Sequence, residues 1–381
     1  MKPQDRSLPT EEARDLLQLV REISDSELAP HAATYEEKEQ FPRELFRLLG
    51  KSGLLGLPYP EELGGGGQPY EVYLQVIEEL SRAWAAVGMG VSVHVLSCFP
   101  LATAGSPEQQ ERWLPDLLAG DLLGAYCLSE PESGSDAASL QTAAVPRLNG
   151  LSVTGTKAWI THAGAADFYS TMVRTGGRGP NGISCLLIDA ATPGISFGPA
   201  ERKMGMRSST TAQVIFDNAI VPLSRMLGSD GEGFRIAMSA LDSGRLGLAA
   251  CAVGVAEAAL ELATEYADER QQFGRSISQY QGIGFMLADM ATGIAAARAL
   301  YLEAARRKDA GQAFAHEAAM AKLFASDTAM KVTTDAVQIL GGAGYSQDFP
   351  AERYFREAKL LQIVEGTNQI QRLVISRGLS V

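Results

Sequence analysis

An isolated carboxylate late in the chain is the residue best suited to move a proton. Glu365 follows Ile363 and Val364 and precedes Gly366 and the polar turn 367–369. An acid between apolar residues is poorly solvated, so its pKa rises toward neutrality, which suits a general base acting on a weakly acidic C–H group. A solvated surface glutamate would have the same local sequence, so other motifs have to decide between the two interpretations.

A second stretch, far upstream, offers backbone hydrogen-bond donors. It reads Tyr126-Cys127-Leu128-Ser129-Glu130-Pro131-Glu132-Ser133-Gly134-Ser135-Asp136, an apolar strand that runs into a Gly/Ser-rich turn. The N–H groups of such a turn can bind the carbonyl groups of a flat heterocycle and nearby phosphate oxygens. An ordinary loop capped by Asp136 is the alternative interpretation.

These two stretches, together with four others in a fixed order, resemble the acyl-CoA dehydrogenase family. The family's pattern C-[hydrophobic]-[S/T]-E-P-x-x-G-S-D matches without a gap from Cys127 to Asp136. Its W-I-T pattern is present in 159–161, followed by His162 where many members have Asn. The remaining matches are Asp242-Ser243-Gly244-Arg245, then Arg270-Gln271-Gln272-Phe273-Gly274 with Gln281, then Gln338-Ile339-Leu340-Gly341-Gly342-Ala343-Gly344-Tyr345.

The resemblance implies FAD as the cofactor and assigns residues to it. The contacts implied within one subunit are Tyr126, Leu128, Ser129, Gly134, Ser135, Trp159, Ile160, Thr161, Thr367 and Gln369. The residues implied to reach the FAD of a neighbouring subunit are Arg270, Phe273, Gln281, Gln338, Gly341 and Gly342. Arginine suits this role because its planar fork pairs with a pyrophosphate. The alternative for Trp159 is an ordinary core residue of a strand.

The resemblance also implies a reaction and a substrate site. Glu365 would remove the α-proton of an acyl-CoA thioester while the β-hydride passes to flavin N5, which gives the trans-2-enoyl-CoA. The implied substrate contacts are Ser135, Asp242, Arg245 and Gly366. The alternative for Asp242 and Arg245 is a surface ion pair, because residues three apart share one helix face. Some members place the base near 241–245 instead, but Leu241 stands there and favours Glu365.

Further expectations concern the substrate and the partners. The acyl group is expected to be short or medium in length, straight or branched, in a pocket lined by the helix 87–94. The family implies an electron-transfer flavoprotein as acceptor and a homo-oligomer, a dimer of dimers. The alternatives are a dehydrogenase of an acyl-carrier-protein thioester in a biosynthetic pathway, an acyl-CoA oxidase, and a non-catalytic helical scaffold of the same fold. Oxidases of this kind are usually longer than 381 residues.

Composition narrows the class of protein. A net charge of −12 and the lack of a basic run argue against nucleic acid as a partner. The four cysteines and four histidines are scattered, which predicts reduced buried thiols and no metal site. The first residues include no apolar leader, and no uninterrupted apolar run is long enough for a membrane span. We therefore expect a cytoplasmic protein, although a processed mitochondrial matrix protein would have the same features.

The elements that must position these residues change period twice along the chain. Residues 1–120 show helical spacing, as in Val76, Leu80 and Trp84. Residues 121–227 contain short β-rich runs between turns, and residues 228–381 return to long helices. We predict a mainly α protein with a central β domain: an N-terminal helical domain, a small middle β-barrel or sandwich, and a C-terminal four-helix bundle.

Overall fold

The computed structural model describes residues 6–379, and the first part is helical. Thr10 caps the first helix by accepting a hydrogen bond from the Ala13 N–H, and Ser106 and Gln109 form a capping box on the sixth. The helices are α1 (Glu11–Ile23), α2 (Ala29–Lys38), α3 (Arg43–Lys51), α4 (Tyr70–Ala83), α5 (Ala85–Ala104) and α6 (Pro107–Leu118). Residues 1–5, on which the expectation about a leader partly rests, lie outside the described range.

The middle part is an eight-stranded sheet. Its strands are β1 (Gly124–Cys127), β2 (Ala143–Arg147), β3 (Gly150–Thr161), β4 (Phe168–Arg174), β5 (Ile183–Asp189), β6 (Ile195–Phe197), β7 (Thr211–Val221) and β8 (Met226–Leu227). The order along the sheet is β6-β7-β3-β2-β4-β5-β8, and β1 pairs in parallel with β4. Its apolar side chains enclose a second core, separate from that of the helices. The predicted central β domain is confirmed.

The last part is again helical. Its long helices α7 (Gly233–Glu269), α8 (Gln281–Asp309) and α9 (Ala315–Leu340) pack on one another, and α4 and α5 pack on α7. Alanine-rich faces allow this close approach, and most α7 side chains from 243 to 260 are buried. The hairpin strands β9 (Gln271–Gln272) and β10 (Arg275–Ser276) precede α8, and the shorter helices are α10 (Gly342–Tyr345), α11 (Ala351–Leu361) and α12 (Asn368–Leu379). The predicted order of helices, sheet and helices is confirmed.

Three helices are long and apolar enough to cross a membrane when judged by length and composition alone. The sequence prediction of no membrane span considered only uninterrupted apolar runs, whereas these helices stand out by their mean hydropathy over 18 residues. In α5 and α7, 89% of the apolar window is buried inside the protein, so packing accounts for its composition. In α8 only 22% of the window is buried, which leaves an apolar helix face open on the single chain.

Candidate active site

A cavity of about 240 Å³ lies between α5, α7 and the loop that precedes α4. Its walls are mainly apolar, with a few polar side chains at one side. The lining residues are Pro58, Tyr59, Pro60, Leu63, Tyr70, Ser92, Val95, Leu96, Phe99, Ala102, Thr103, Ala240, Ser243, Gly244 and Lys308. A mainly apolar pocket with few polar groups is the usual form of a small-molecule site.

Glu365 brings its carboxylate to the Gly244 side of this cavity. A Cβ atom built on Gly244 would lie 2.2 Å from Glu365 Oε2, so only a glycine leaves room for the carboxylate there. Both carboxylate oxygens are buried, and neither has a hydrogen-bond partner within residues 6–379. The stretch 241–245 of α7, where some family members place the base, contains in this chain the glycine that makes room for Glu365.

Burial changes the proton affinity of this carboxylate. Desolvation raises the pKa of Glu365 to about 7, and the nearby charges of Lys322 and Arg245 limit the rise. A carboxylate whose pKa lies near neutrality suits a general base, because it can both take up and release a proton near pH 7. The prediction that an isolated acid at this position has a raised pKa agrees with its surroundings.

The backbone at Glu365 is in the left-handed region, with φ +52°, and Gly366 follows with φ +90°. A non-glycine residue there is strained and must be held by its surroundings. The Glu365 N–H has no acceptor in the described part of the chain, so it is free to donate toward a ligand. Such a free donor next to a base is the arrangement needed to stabilise a developing oxyanion.

Asp242 and Arg245 form an ion pair on the same helix as Gly244. Arg245 donates to Asp242 Oδ1 at 2.6 Å, and the Arg245 side chain is buried. The Arg245 Nε is buried too and has no partner among residues 6–379. The pair is therefore not a simple surface ion pair, and it flanks Ser243 and Gly244, which line the cavity.

A buried lysine supports the turn that carries Glu365. Lys322, on α9, donates to Gly366 O at 3.0 Å and to Asn368 Oδ1 at 2.8 Å. The Asn368 amide donates in turn to Asp327 Oδ1, at 2.7 Å. Sequence analysis missed Lys322. The available signal was a single lysine on the alanine-rich face of a helix, where Ala318 and Ala325 are also buried.

A second buried lysine holds the turn after β1 in place. Lys157, on β3, donates to Leu128 O at 3.0 Å and to Glu130 Oε1 at 2.9 Å. Glu130 also accepts from the N–H groups of Gln141 and Thr142. The Ser133 N–H donates to Glu130 O, whereas Gly134, Ser135 and Asp136 are exposed and their N–H groups have no acceptor within residues 6–379.

We expect Lys157→Met to destabilise the protein by about 3 kcal/mol, because it leaves the Glu130 carboxylate buried without its cation. The two backbone donors to Glu130 remain, which places the loss at the lower end for a broken buried pair. The measurement is urea unfolding, with Lys51→Met, at an exposed lysine, as control. A Lys157→Met protein as stable as the control would show that the pair does not anchor the turn.

The three W-I-T residues differ in exposure. Trp159 has φ +61° and is 64% exposed, so it is not the core residue that a strand tryptophan usually is. Ile160 is buried in the core of the sheet domain, and therefore only its backbone is available to a ligand. Thr161 is half-buried at the end of β3. An exposed indole suits the face of a flat heterocycle, and the free N–H groups of 134–136 suit its edge.

The other predicted cofactor residues divide into two groups. Tyr126, Leu128 and Ser129 lie on or just after β1, and Tyr126 donates to Ala237 O of α7. Thr367 directly precedes α12 and accepts from the Ile370 N–H, while Gln369 is exposed. The residues predicted to serve a neighbouring subunit are all exposed on the single chain, namely Arg270, Phe273, Gln281, Gln338, Gly341 and Gly342.

One expectation about the cavity is wrong in part. A Cβ on Gly88 would lie 2.0 Å from Ser81 Oγ, so this part of α5 packs on α4 and not on the cavity. The helix lines the cavity from Ser92 onward, with Leu96 and Phe99. His94 is a satisfied core residue: it accepts from the Gly124 N–H at Nδ1 and donates from Nε2 to Leu117 O.

No group of three or more His, Cys, Asp or Glu side chains suited to a metal ion occurs within residues 6–379. The four cysteines, Cys98, Cys127, Cys185 and Cys251, are buried free thiols, as predicted. Beside the cavity, Glu365 offers a buried carboxylate next to a free backbone donor.

The site thus combines a buried carboxylate with an apolar cavity, in a chain built of helices, a sheet and helices in that order. Three family models match the chain: acyl-CoA dehydrogenase, N-terminal domain, over residues 10–121, the middle domain over 125–219, and the C-terminal domain over 231–380. The chain belongs to the acyl-CoA dehydrogenase family and is an enzyme of that class.

Individual relatives agree over almost the whole chain. An acyl-CoA dehydrogenase of Bacillus subtilis (strain 168) is 48% identical over 97% of this chain and 98% of its own. The structure of butyryl-CoA dehydrogenase from Megasphaera elsdenii is 41% identical, with a TM-score of 0.96 over 99% and 100% of the two chains. A chain from the structural work on the electron transferring flavoprotein of Acidaminococcus fermentans is 44% identical, with a TM-score of 0.96 over 99% of each chain.

Proposed function

We propose that the protein uses FAD to dehydrogenate a short-chain acyl-CoA at its α and β carbons. The observation that carries the proposal is the buried Glu365 carboxylate, unpartnered within residues 6–379 and seated against Gly244 beside the cavity. In this reaction Glu365 takes the α-proton. The free Glu365 N–H donates to the thioester oxygen as negative charge develops there. Bound FAD supplies the acceptor for the β-hydride.

The residues present fit a flavin. The exposed Trp159 offers an aromatic face, residues 134–136 offer free N–H donors, and Thr161 lies at the end of the strand that carries Trp159. The residues of 270–281 and 338–342 would hold the FAD of a neighbouring subunit, which accords with their exposure on this chain. The open apolar face of α8 supports the homo-oligomer that such sharing requires.

A short acyl group is supported by the size and shape of the cavity. Its volume of about 240 Å³ lies below the range of about 300–1,000 Å³ that is usual for drug-sized ligands. The relative from Megasphaera elsdenii is a butyryl-CoA dehydrogenase, which supports the same substrate class. The likeness to the Acidaminococcus fermentans chain supports an electron-transferring flavoprotein as the electron acceptor.

The decisive experiment is an anaerobic titration of the yellow protein with acyl-CoAs, followed by the flavin absorbance near about 450 nm. We expect butyryl-CoA to bleach the flavin, with isobutyryl- and 2-methylbutyryl-CoA as tests of branching and octanoyl-CoA as a test of length. A yellow protein that none of them bleaches would contradict the proposed substrate and favour a carrier-protein thioester. A colourless protein that FAD cannot reconstitute would overturn the enzymatic proposal.

The rate of flavin reduction is expected to depend on pH through Glu365. Because only the ionised carboxylate can take a proton, and burial raises its pKa to about 7, the rate increases with pH through neutrality. Below pH 7 it falls about tenfold for each pH unit, as the ionised fraction does. The profile is measured by stopped-flow reduction with saturating butyryl-CoA, over about two pH units on either side of neutrality. A flat profile would contradict the assignment of the base.

A further inference from the structure

We infer that Lys322 is a positioning residue for the reaction. Its ammonium group holds the turn that carries Glu365, and its charge keeps the Glu365 carboxylate in the ionised form. This inference rests on the proposed function only in that Glu365 is taken as the base. The geometry on which it stands is independent of any ligand.

The position of Lys322 calls for an explanation. Its side chain is completely buried in α9, and burial of an ammonium group is unfavourable unless it is well bonded. Its two acceptors, Gly366 O and Asn368 Oδ1, both belong to the segment that directly follows Glu365. The lysine therefore connects α9 to the turn that carries Glu365.

Further hydrogen bonds fix the turn that carries Glu365 against α9. The Asn368 amide donates to Ser326 Oγ at 2.9 Å and to Asp327 Oδ1 at 2.7 Å, and Gln362 donates to Asp327 at 2.7 Å. Gln371 adds a bond to Gly366 O at 2.8 Å. A left-handed, strained residue such as Glu365 persists only where its neighbours are fixed in this way.

The charge of Lys322 differs from that of the other nearby cation. Arg245 is already paired with Asp242 at 2.6 Å. The acceptors of Lys322 are two neutral oxygens, and within residues 6–379 no carboxylate lies at ion-pair distance from it. Glu365 is the anion that most raises the pKa of Lys322, and burial outweighs it and lowers that pKa to about 8.

The other titratable groups around Glu365 are neutral at pH 7 or already paired. Burial raises the pKa of Tyr70, Tyr73, Tyr126 and Cys251, each of which faces Glu365 from α4, β1 or α7. Asp327 faces Lys322 and accepts from Asn368, Gln362 and Arg372. Removal of the Lys322 charge therefore leaves Arg245, which is paired with Asp242, as the remaining cation that favours the ionised form of Glu365.

The test compares neutral and charged substitutions at 322. In Lys322→Met and in Lys322→Gln we expect the pKa of Glu365 to rise by about one unit, so that about tenfold less base is ionised at pH 6. Lys322→Arg retains the charge and is expected to keep the pKa near that of the wild type. Lys331→Met, at an exposed lysine on the same helix, is the matched control.

Two readouts separate this inference from the proposed function. Infrared difference spectra against Glu365→Gln follow the carboxyl group of Glu365 directly as the pH changes, without substrate. The pH profile of flavin reduction by butyryl-CoA follows the same group during turnover. A folded neutral variant, by circular dichroism, whose Glu365 titrates as in the wild type would overturn the inference. If the infrared shift occurs but the wild-type protein does not react with butyryl-CoA, the inference stands and the proposed function fails.

Discussion

Glu365→Gln is expected to keep the fold and the bound flavin and to lose at least about 1,000-fold in the rate of flavin reduction, the scale typical of a general base. Glutamine fills the same volume beside Gly244 but accepts no proton. The fold is expected to survive because Lys322 bonds to Gly366 O and Asn368, not to the carboxylate. The measurement is stopped-flow reduction by butyryl-CoA under anaerobic conditions.

The matched control is Glu303→Gln, at an exposed glutamate that pairs with Arg307 on α8. The control is expected to reduce its flavin at the wild-type rate. If Glu365→Gln retained a rate within about tenfold of that control, another group would have to take the proton. A tenfold loss is well below the contribution of a general base.

Gly244→Ala is expected to slow flavin reduction by about 100-fold while leaving the melting temperature nearly unchanged. The added methyl group would lie 2.2 Å from Glu365 Oε2, so the carboxylate has to move away from the cavity. A displacement of about 1 Å at a reacting group can cost a factor of this size. Alanine is also the better helix former, which offsets the loss of packing in α7.

Ser239→Ala serves as the comparison, because position 239 is exposed on the same helix. The rate of α-proton exchange with solvent, measured by mass spectrometry of the recovered thioester, isolates the step of the base. If Gly244→Ala exchanges the proton as fast as Ser239→Ala does, the space left by the glycine is not needed.

Local patterns in the sequence predicted the fold, and they singled out Glu365 as the candidate base, for clear physical reasons. The change from helical spacing to short β-rich runs and back is a property of neighbouring residues, and it gave the order of helices, sheet and helices. Glu365 was identified because its apolar neighbours and the distant motifs agree. The exposure of Trp159 fits a ligand contact, which the W-I-T resemblance had favoured over the core interpretation.

The features that could not be predicted depend on pairs of residues far apart in the chain. The contact of Gly244 with Glu365, and the bonds from Lys322 to Gly366 and Asn368, exist only after helices pack. The prediction of which α5 residues face the cavity was wrong in part for a related reason. Nearly every residue of this helix is buried, so no apolar stripe marks the side that faces the cavity. As a result the pocket wall was predicted over 87–94, whereas the cavity is lined from Ser92 onward, by Leu96 and Phe99 among others.

The distance along the chain between Gly244 and Glu365 also fixes the order in which the site can be built. During synthesis the α5 and α7 walls of the cavity are complete before α11, the turn of the base and α12 have left the ribosome. Until the turn between α11 and α12 is made, the cleft between α5 and α7 has no acid. The docking of α12 on α9 belongs to the last steps that bring Glu365 into place.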